Sequence, residues 1–217
     1  ERQSRIEIWH RDARLIMGGG HILRTNPIAL ANVILDTGFA GPTKAGFVDQ
    51  EKDGDRRHYY IPRKVFTSFK DGTPNLKEVF AHGTVEFSFN FRNAKEVEIN
   101  VQWDILKADR IALQFPLIVW RQAKVSINEK EIQSINADTP IKGNVKIQGG
   151  IFNSSYEFQT PKGATTFARY PVKTLQMYNG DFSNEEQVVS PFQMLTVTCE
   201  WEKKKKTASH NFLYKII

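Results

Sequence analysis

Five consecutive residues, Arg56, Arg57, His58, Tyr59 and Tyr60, gather two guanidinium groups, an imidazole and two phenols. A guanidinium pairs carboxylate or sulfate through parallel hydrogen bonds, and a flat phenol ring packs against an apolar face. The cluster therefore suits an acidic sugar. The plainer reading of the same residues is a strand whose aromatics alternate between core and surface, since an exposed phenol tip is ordinary. Just upstream, Asp49, Glu51, Asp53 and Asp55 set carboxylates at alternate positions around Gly54. Loops that wrap calcium carry oxygen ligands in this way. The bidentate Glu such a loop needs further on is replaced by Tyr60, and no helix flanks the segment. A solvated acidic loop therefore explains Asp49 to Asp55 more simply than calcium does.

Other chemistries find less support. His10, His21, His58, His82 and His210 stand in no metal-ligand spacing, and no cysteine pair accompanies them. Gly18, Gly19 and Gly20 form a tight-turn signal, but no Gly-Lys-Ser/Thr follows to make a phosphate loop. A serine-hydrolase elbow is missing as well. Asn153-Ser154-Ser155 fits a glycosylation sequon, a pattern frequent by chance. Lys203 to Lys206 is a cationic run without interleaved aromatics, so it reads as a solvated hairpin tip rather than a nucleic-acid platform. Cys199 is the sole cysteine, which rules out an intrachain disulfide. It alternates with Leu195 and Val197, the position of a buried, inert thiol.

Composition sets the frame for these residues. The chain has 217 residues, 40% hydrophobic and 25% charged, enough for a large core without disulfides or metals. The balance of 30 basic against 24 acidic residues gives +6, a mild preference for polyanions. No apolar run approaches the length of a membrane-spanning helix. Because Glu1 opens the chain and the first residues already read as a strand, the sequence is expected to be a mature product or an excised domain of a longer protein.

The elements that must position the candidates are strands. Val85, Phe87, Phe89 and Phe91 alternate with polar residues, as do Val97, Ile99, Val101 and Trp103. Period-two alternation turns one set to the core and the other to water or a ligand, and the short polar link between the two runs predicts an antiparallel hairpin. Further strands are read at Arg5–His10, Ala13–Met17, Leu30–Leu35 and His58–Phe69, the last bent or broken at Pro62. The more apolar Arg110–Trp120 is read as central, with Pro116 marking a bulge or an edge. A hairpin turning at Asn128 and Glu129, a pairing of Val145–Ile151 with Ser155–Gln159, and strands at Ala168–Val172, Leu195–Trp201 and Asn211–Ile217 complete the set. Asp71 to Pro74 reads as a turn, Gly38 to Gly46 as a loop, and Asn184 to Val189 as a single helical turn at most. With no repeat and no linker, residues 1–217 are expected to form one all-β domain, a large antiparallel two-sheet sandwich of supersandwich type.

Two stretches add a resemblance. Ile6 to His21, with Trp9-His10 before an apolar strand and a glycine turn, resembles the opening of the β-sheet portion of heparinase II/III-like proteins. Asp109 to Leu117 and Lys124 to Ile132 resemble sheet strands of the same group. Such proteins join a helical toroid to a C-terminal β-sandwich. The resemblance thus implies an accessory sandwich, inactive alone, in a periplasmic or secreted protein that processes acidic polysaccharide by lyase chemistry. It implies a helical domain N-terminal in the same parent chain as partner. In that chemistry a Tyr or His removes the proton beside a uronate carboxylate. His58 and Tyr60 are the candidates by chemistry, with no family motif carrying them. Neither a cofactor, apart from the calcium considered above, nor a nucleic acid is expected. A stand-alone carbohydrate-binding module is the alternative, supported if Trp103, Trp120 or Trp201 forms an exposed row. A structural or interaction domain without a ligand is the third reading.

Overall fold

The computed structural model describes residues 6, 8–9, 16–17, 33–37, 50–53, 56–59, 62–108, 110–120, 123–131, 140–141, 144–149, 155–161, 164–172, 192–202 and 205–217. The strands are β1 (Ile8–Trp9), β2 (Ile16–Met17), β3 (Val33–Thr37), β4 (Gln50–Asp53), β5 (Arg56–Tyr59) and β6 (Lys64–Lys70). They continue with β7 (Thr73–Phe80), β8 (Gly83–Asn93), β9 (Glu96–Ile105), β10 (Arg110–Trp120), β11 (Lys124–Ile127) and β12 (Lys130–Glu131). The last are β13 (Pro140–Ile141), β14 (Val145–Gln148), β15 (Tyr156–Gln159), β16 (Thr165–Val172), β17 (Phe192–Glu202) and β18 (Thr207–Ile216). No helix occurs among the described residues, so none there is long and apolar enough to cross a membrane.

The strands form two sheets. The front sheet runs β12-β11-β14-β15-β18-β9-β8-β7-β6, and the back sheet runs β13-β16-β17-β10-β3-β5-β4, with β2 beside β10 and β1 beyond it. The chain passes between the sheets at β5–β6, β9–β10, β10–β11, β12–β13, β13–β14, β15–β16 and β17–β18. Every pairing among the described strands is antiparallel, for instance β8 with β9, β9 with β18 and β10 with β17. The all-β sandwich expectation holds.

The alternating runs explain the core. In β8 and β9, Val85, Phe87, Val101 and Ile99 are buried while Ser88 and Asn100 between them are only partly covered. The facing side comes from Ile111, Leu113, Phe115 and Leu117 of β10 with Leu195, Val197 and Cys199 of β17, all buried. Cys199 is a free, buried thiol, as its alternation required. The two layers meet in rings: Phe115 of the back sheet lies 5.0 Å from Phe158 and 4.4 Å from Phe212 of the front sheet, centroid to centroid.

Local chemistry sets the turns. Asp71 and Gly72 carry φ of 50° and 79°, the paired positive angles of the tight turn that matches strand twist. They join β6 to β7, so Thr73 and Pro74, expected in a turn, begin a strand instead. The hairpin at Asn128 and Glu129 is as expected, with φ of 49° and 67°. Asn93 Oδ1 accepts a hydrogen bond from Lys95 N at 2.8 Å, closing the turn between β8 and β9. Pro116 needs no bulge: it stands opposite Thr196 in an unbroken register with β17. On its other flank β10 pairs with β3 only up to Leu113 and with β2 only at Leu117. The missing proline N–H falls where the described residues offer no opposing strand.

A second ring group closes the corner where β17 hands over to β18. His210 lies 4.8 Å from Trp103 and 4.5 Å from Trp201, and the two indoles are 5.3 Å apart. Loss of water around the imidazole holds its pKa below the ordinary histidine value. The folded chain therefore resists a proton that the unfolded chain accepts below about pH 6.5. Stability is fully present above that pH and falls as the solution is acidified from there toward the lower folded pKa, because the unfolded state then binds more protons. Denaturant titrations at stepped pH should show this loss, and His210→Gln should flatten it. A rise in stability on acidification in the wild-type chain, absent in His210→Gln, would mean that attraction of imidazolium to the indole faces outweighs desolvation.

Candidate glycan-binding face

The cluster singled out in the sequence lies on β5, between β3 and β4 of the back sheet. The segment from Gln50 to Asp53 is not the expected loop. It is the strand β4, held in an antiparallel hairpin with β5. Charged residues are poor strand formers by themselves, so the pairing rather than the local sequence makes this element. Its register places Asp53 opposite Arg56 and Glu51 opposite His58. On the other side Asp36 of β3 stands opposite His58, and Arg110 of β10 opposite Asp36. Two of the cluster's residues thus have carboxylate residues as direct cross-strand neighbours. Arg57 instead has Lys52 and Thr37. The calcium reading loses the curled loop that motivated it, since Glu51 and Asp53 belong to an extended strand. Tyr60, Asp49 and Asp55 lie outside the described residues, as do His10, His21, Gly18 to Gly20, Gly38 to Gly46 and Asn184 to Val189.

The lysine run is not a hairpin tip. Lys203 and Lys204 lie outside the described residues, and the run falls between β17 of the back sheet and β18 of the front sheet. Lys205 and Lys206 are exposed, and Lys206 Nζ reaches Asp104 Oδ1 at 3.4 Å. A pair this exposed adds little stability.

Trp103 and Trp201 do not form an exposed row, and the side chain of Trp120 lies outside what is described. Trp103 is 6% exposed and packs with Trp201 inside the sandwich. Both indole Nε1 atoms are buried without a hydrogen-bond partner among the described residues. These rings join the two sheets and are not available for stacking on a sugar.

The outer side of the front sheet offers a different arrangement. Register aligns Ser68 with Asn75, Asn75 with Ser88, Ser88 with Asn100, and Asn100 with Asn211. This is one straight line of uncharged hydrogen-bonding side chains across β6, β7, β8, β9 and β18. With strands about 4.8 Å apart the line is about 19 Å long. Ser88 Oγ donates to Asn75 Oδ1 at 2.6 Å, and Asn75 Nδ2 donates to Thr73 O at 2.8 Å. Asn100 Nδ2 donates to Asn211 Oδ1 at 2.5 Å and to Ser209 Oγ at 3.3 Å. That leaves Asn100 Oδ1 as an acceptor and Asn211 Nδ2 as a donor, each without a partner among the described residues. Phe66 precedes the line by one outward position on β6 and is 54% exposed. Two cations beside the line are paired, Lys77 with Glu86 at 3.8 Å and Arg92 with Glu98 at 2.7 Å.

Sequence reasoning found part of this face. Alternation assigns Ser88, Asn90, Asn100 and Gln102 to the outward set. Asn75 was hidden because Pro74 disguises the start of β7, and the line as a whole is a property of register, which one strand cannot display.

Comparison with known proteins adds little to the chain itself. No protein-family model matches it, and no curated protein matches it. Among solved structures it is similar to an Escherichia coli K12 protein provisionally described as an aldose 1-epimerase, with 8% identity, 99% of both chains covered and a TM-score of 0.44. A likeness of that size carries no argument about activity.

Proposed function

We propose that this sandwich is a non-catalytic carbohydrate-binding domain, the accessory portion of a polysaccharide-processing protein such as the heparinase II/III-like resemblance implies. The observation that carries the reading is the line Ser68-Asn75-Ser88-Asn100-Asn211 on the outer face of the front sheet. Sugar hydroxyls both donate and accept, so the unpartnered acceptor of Asn100 and donor of Asn211 on adjacent strands suit them. The exposed ring of Phe66 gives an apolar C–H face somewhere to rest. Since Lys77 and Arg92 beside the line are already paired, recognition along β7 to β18 rests on hydroxyl groups rather than on anionic substituents.

Affinity electrophoresis through gels containing a soluble uronate polysaccharide or a neutral one tests the proposal. Retardation is expected. Asn100→Ala combined with Asn211→Ala should weaken it about tenfold, the loss of roughly 1.4 kcal/mol expected for one or two net hydrogen bonds. The thermal midpoint should stay unchanged. Retardation by only the uronate gel would assign binding to anionic groups, and undiminished binding by the double variant would remove this face from the reading. Absorbance from newly formed unsaturated uronate ends with the isolated chain would show lyase activity and overturn its non-catalytic role.

A further inference from the structure

The free edge of the front sheet has an unusual make-up. Strand β6 is outermost in its sheet and, among the described residues, pairs only with β7. Its register with β7 is unbroken from Lys64 to Lys70. Every residue from Lys64 to Lys70 is exposed, including Val65 at 39%, Phe66 at 54% and Phe69 at 73%. Natural sheets shield such edges with a proline, a bulge, very short strands or a charge in the middle. Here the run Val65-Phe66-Thr67-Ser68-Phe69 has none of these. Cations stand only at its two ends, Arg63 and Lys64 before it and Lys70 after it, and no acid lies between.

That charge pattern selects the occupant. A second copy would bring the same cations, and the symmetric antiparallel pairing about Thr67 would set Lys64 opposite Lys70 twice. Like charges directly opposite are unfavourable. A strand with carboxylates at its ends meets the cations instead, and uncharged β-forming residues between them match Val65 to Phe69. The edge is about 23 Å long, seven residues at about 3.3 Å each. We propose that β6 is a docking edge for an extended, acid-flanked polypeptide segment of another protein, which adds to the sheet as a further strand. Main-chain hydrogen bonds would supply the affinity, and alternate side chains beside Val65 and Phe69 the selectivity.

The test uses fluorescein-labelled synthetic peptides of alternating valine and threonine, titrated with the chain by anisotropy at low salt. A peptide with glutamates at both ends should bind saturably. The same peptide with lysines at both ends should bind about tenfold more weakly or worse, and N-methylation of every second backbone amide should abolish binding. The double variant Lys64→Glu with Lys70→Glu should reverse the preference between the two peptides. Both positions are exposed, and an unchanged thermal midpoint would establish that the variant is folded. Equal binding of the glutamate and lysine peptides, indifference to N-methylation, or no saturable binding would overturn the proposal. So would a concentration-dependent dimer in sedimentation that excludes the glutamate peptide, which would give the edge to a second copy.

Discussion

Phe115→Ala is expected to lower stability by about 3–5 kcal/mol, the range for removing a buried aromatic ring. Phe115 is 2% exposed and touches Phe158 and Phe212 across the interior. Those two rings stack on each other in the front sheet at 5.9 Å, and Phe115 bridges both to the back sheet, with Trp201 meeting Phe212 edge-on at 6.4 Å. Truncation leaves a cavity between sheets whose backbones are fixed by long ladders, and such a site cannot collapse to fill it. A typical domain has about 5–15 kcal/mol in total, so the variant should sit near the edge of folding. Urea unfolding monitored by tryptophan fluorescence should show a lower midpoint with an unchanged slope. A loss below about 1 kcal/mol would mean the sheets do not depend on this contact.

Gly83→Ala should cost about 2–3 kcal/mol, a large effect for one methyl group and of the size seen when a packed site is overfilled. A Cβ at Gly83 would lie 2.5 Å from the carbonyl oxygen of Asp104 and 2.7 Å from Cα of Ile105, both main-chain atoms of β9. Backbone cannot swing aside as a side chain can. The corner is pinned further, because His82 O accepts hydrogen bonds from Leu106 N at 2.7 Å and Lys107 N at 3.4 Å. Gly72 supplies the control. Its φ of 79° demands the left-handed region, but an added Cβ there meets nothing within 4 Å. Gly72→Ala should therefore lose only the backbone preference, about 1 kcal/mol. Equal losses at the two glycines would show that conformation, not close approach, decides both.

These two residues also show what one sequence displays and what it withholds. Phe115 belongs to a run whose apolar density marks a central strand, and β10 is central. The alternations through Val85 to Phe91, Val97 to Trp103 and Leu195 to Trp201 likewise give strands and their inward faces, because a period of two survives in any antiparallel sheet. Gly83 is different. Nothing about its neighbours announces that β9 passes so close, since that contact is set by register with a strand beyond the next turn. Strand β4 was misread as a loop because Glu51, Lys52 and Asp53 have no propensity for a strand and acquire it by pairing with β5. The lysine run looked like a hairpin tip because alternation names faces and not sheets. For the same reason the line from Ser68 to Asn211 became visible only once five strands were set side by side.

The position of β18 has a consequence for synthesis. It lies between β15 and β9, in the middle of the front sheet, although every other strand of that sheet precedes it in the chain. As the polypeptide emerges, β6 to β9 can assemble early, and β11, β12, β14 and β15 somewhat later, but the two groups have no ladder between them until Thr207 to Ile216 arrives. From the completion of β9 at Ile105 this is about 100 residues, several seconds at roughly 5–20 residues per second. Through that interval the nascent chain carries two open edges facing one vacant lane, β9 with Val97, Ile99 and Val101 and β15 with Tyr156 and Phe158, all side chains that are buried in the finished fold. Of all the strands, β18 is thus the one whose late delivery leaves the growing chain most in need of a chaperone.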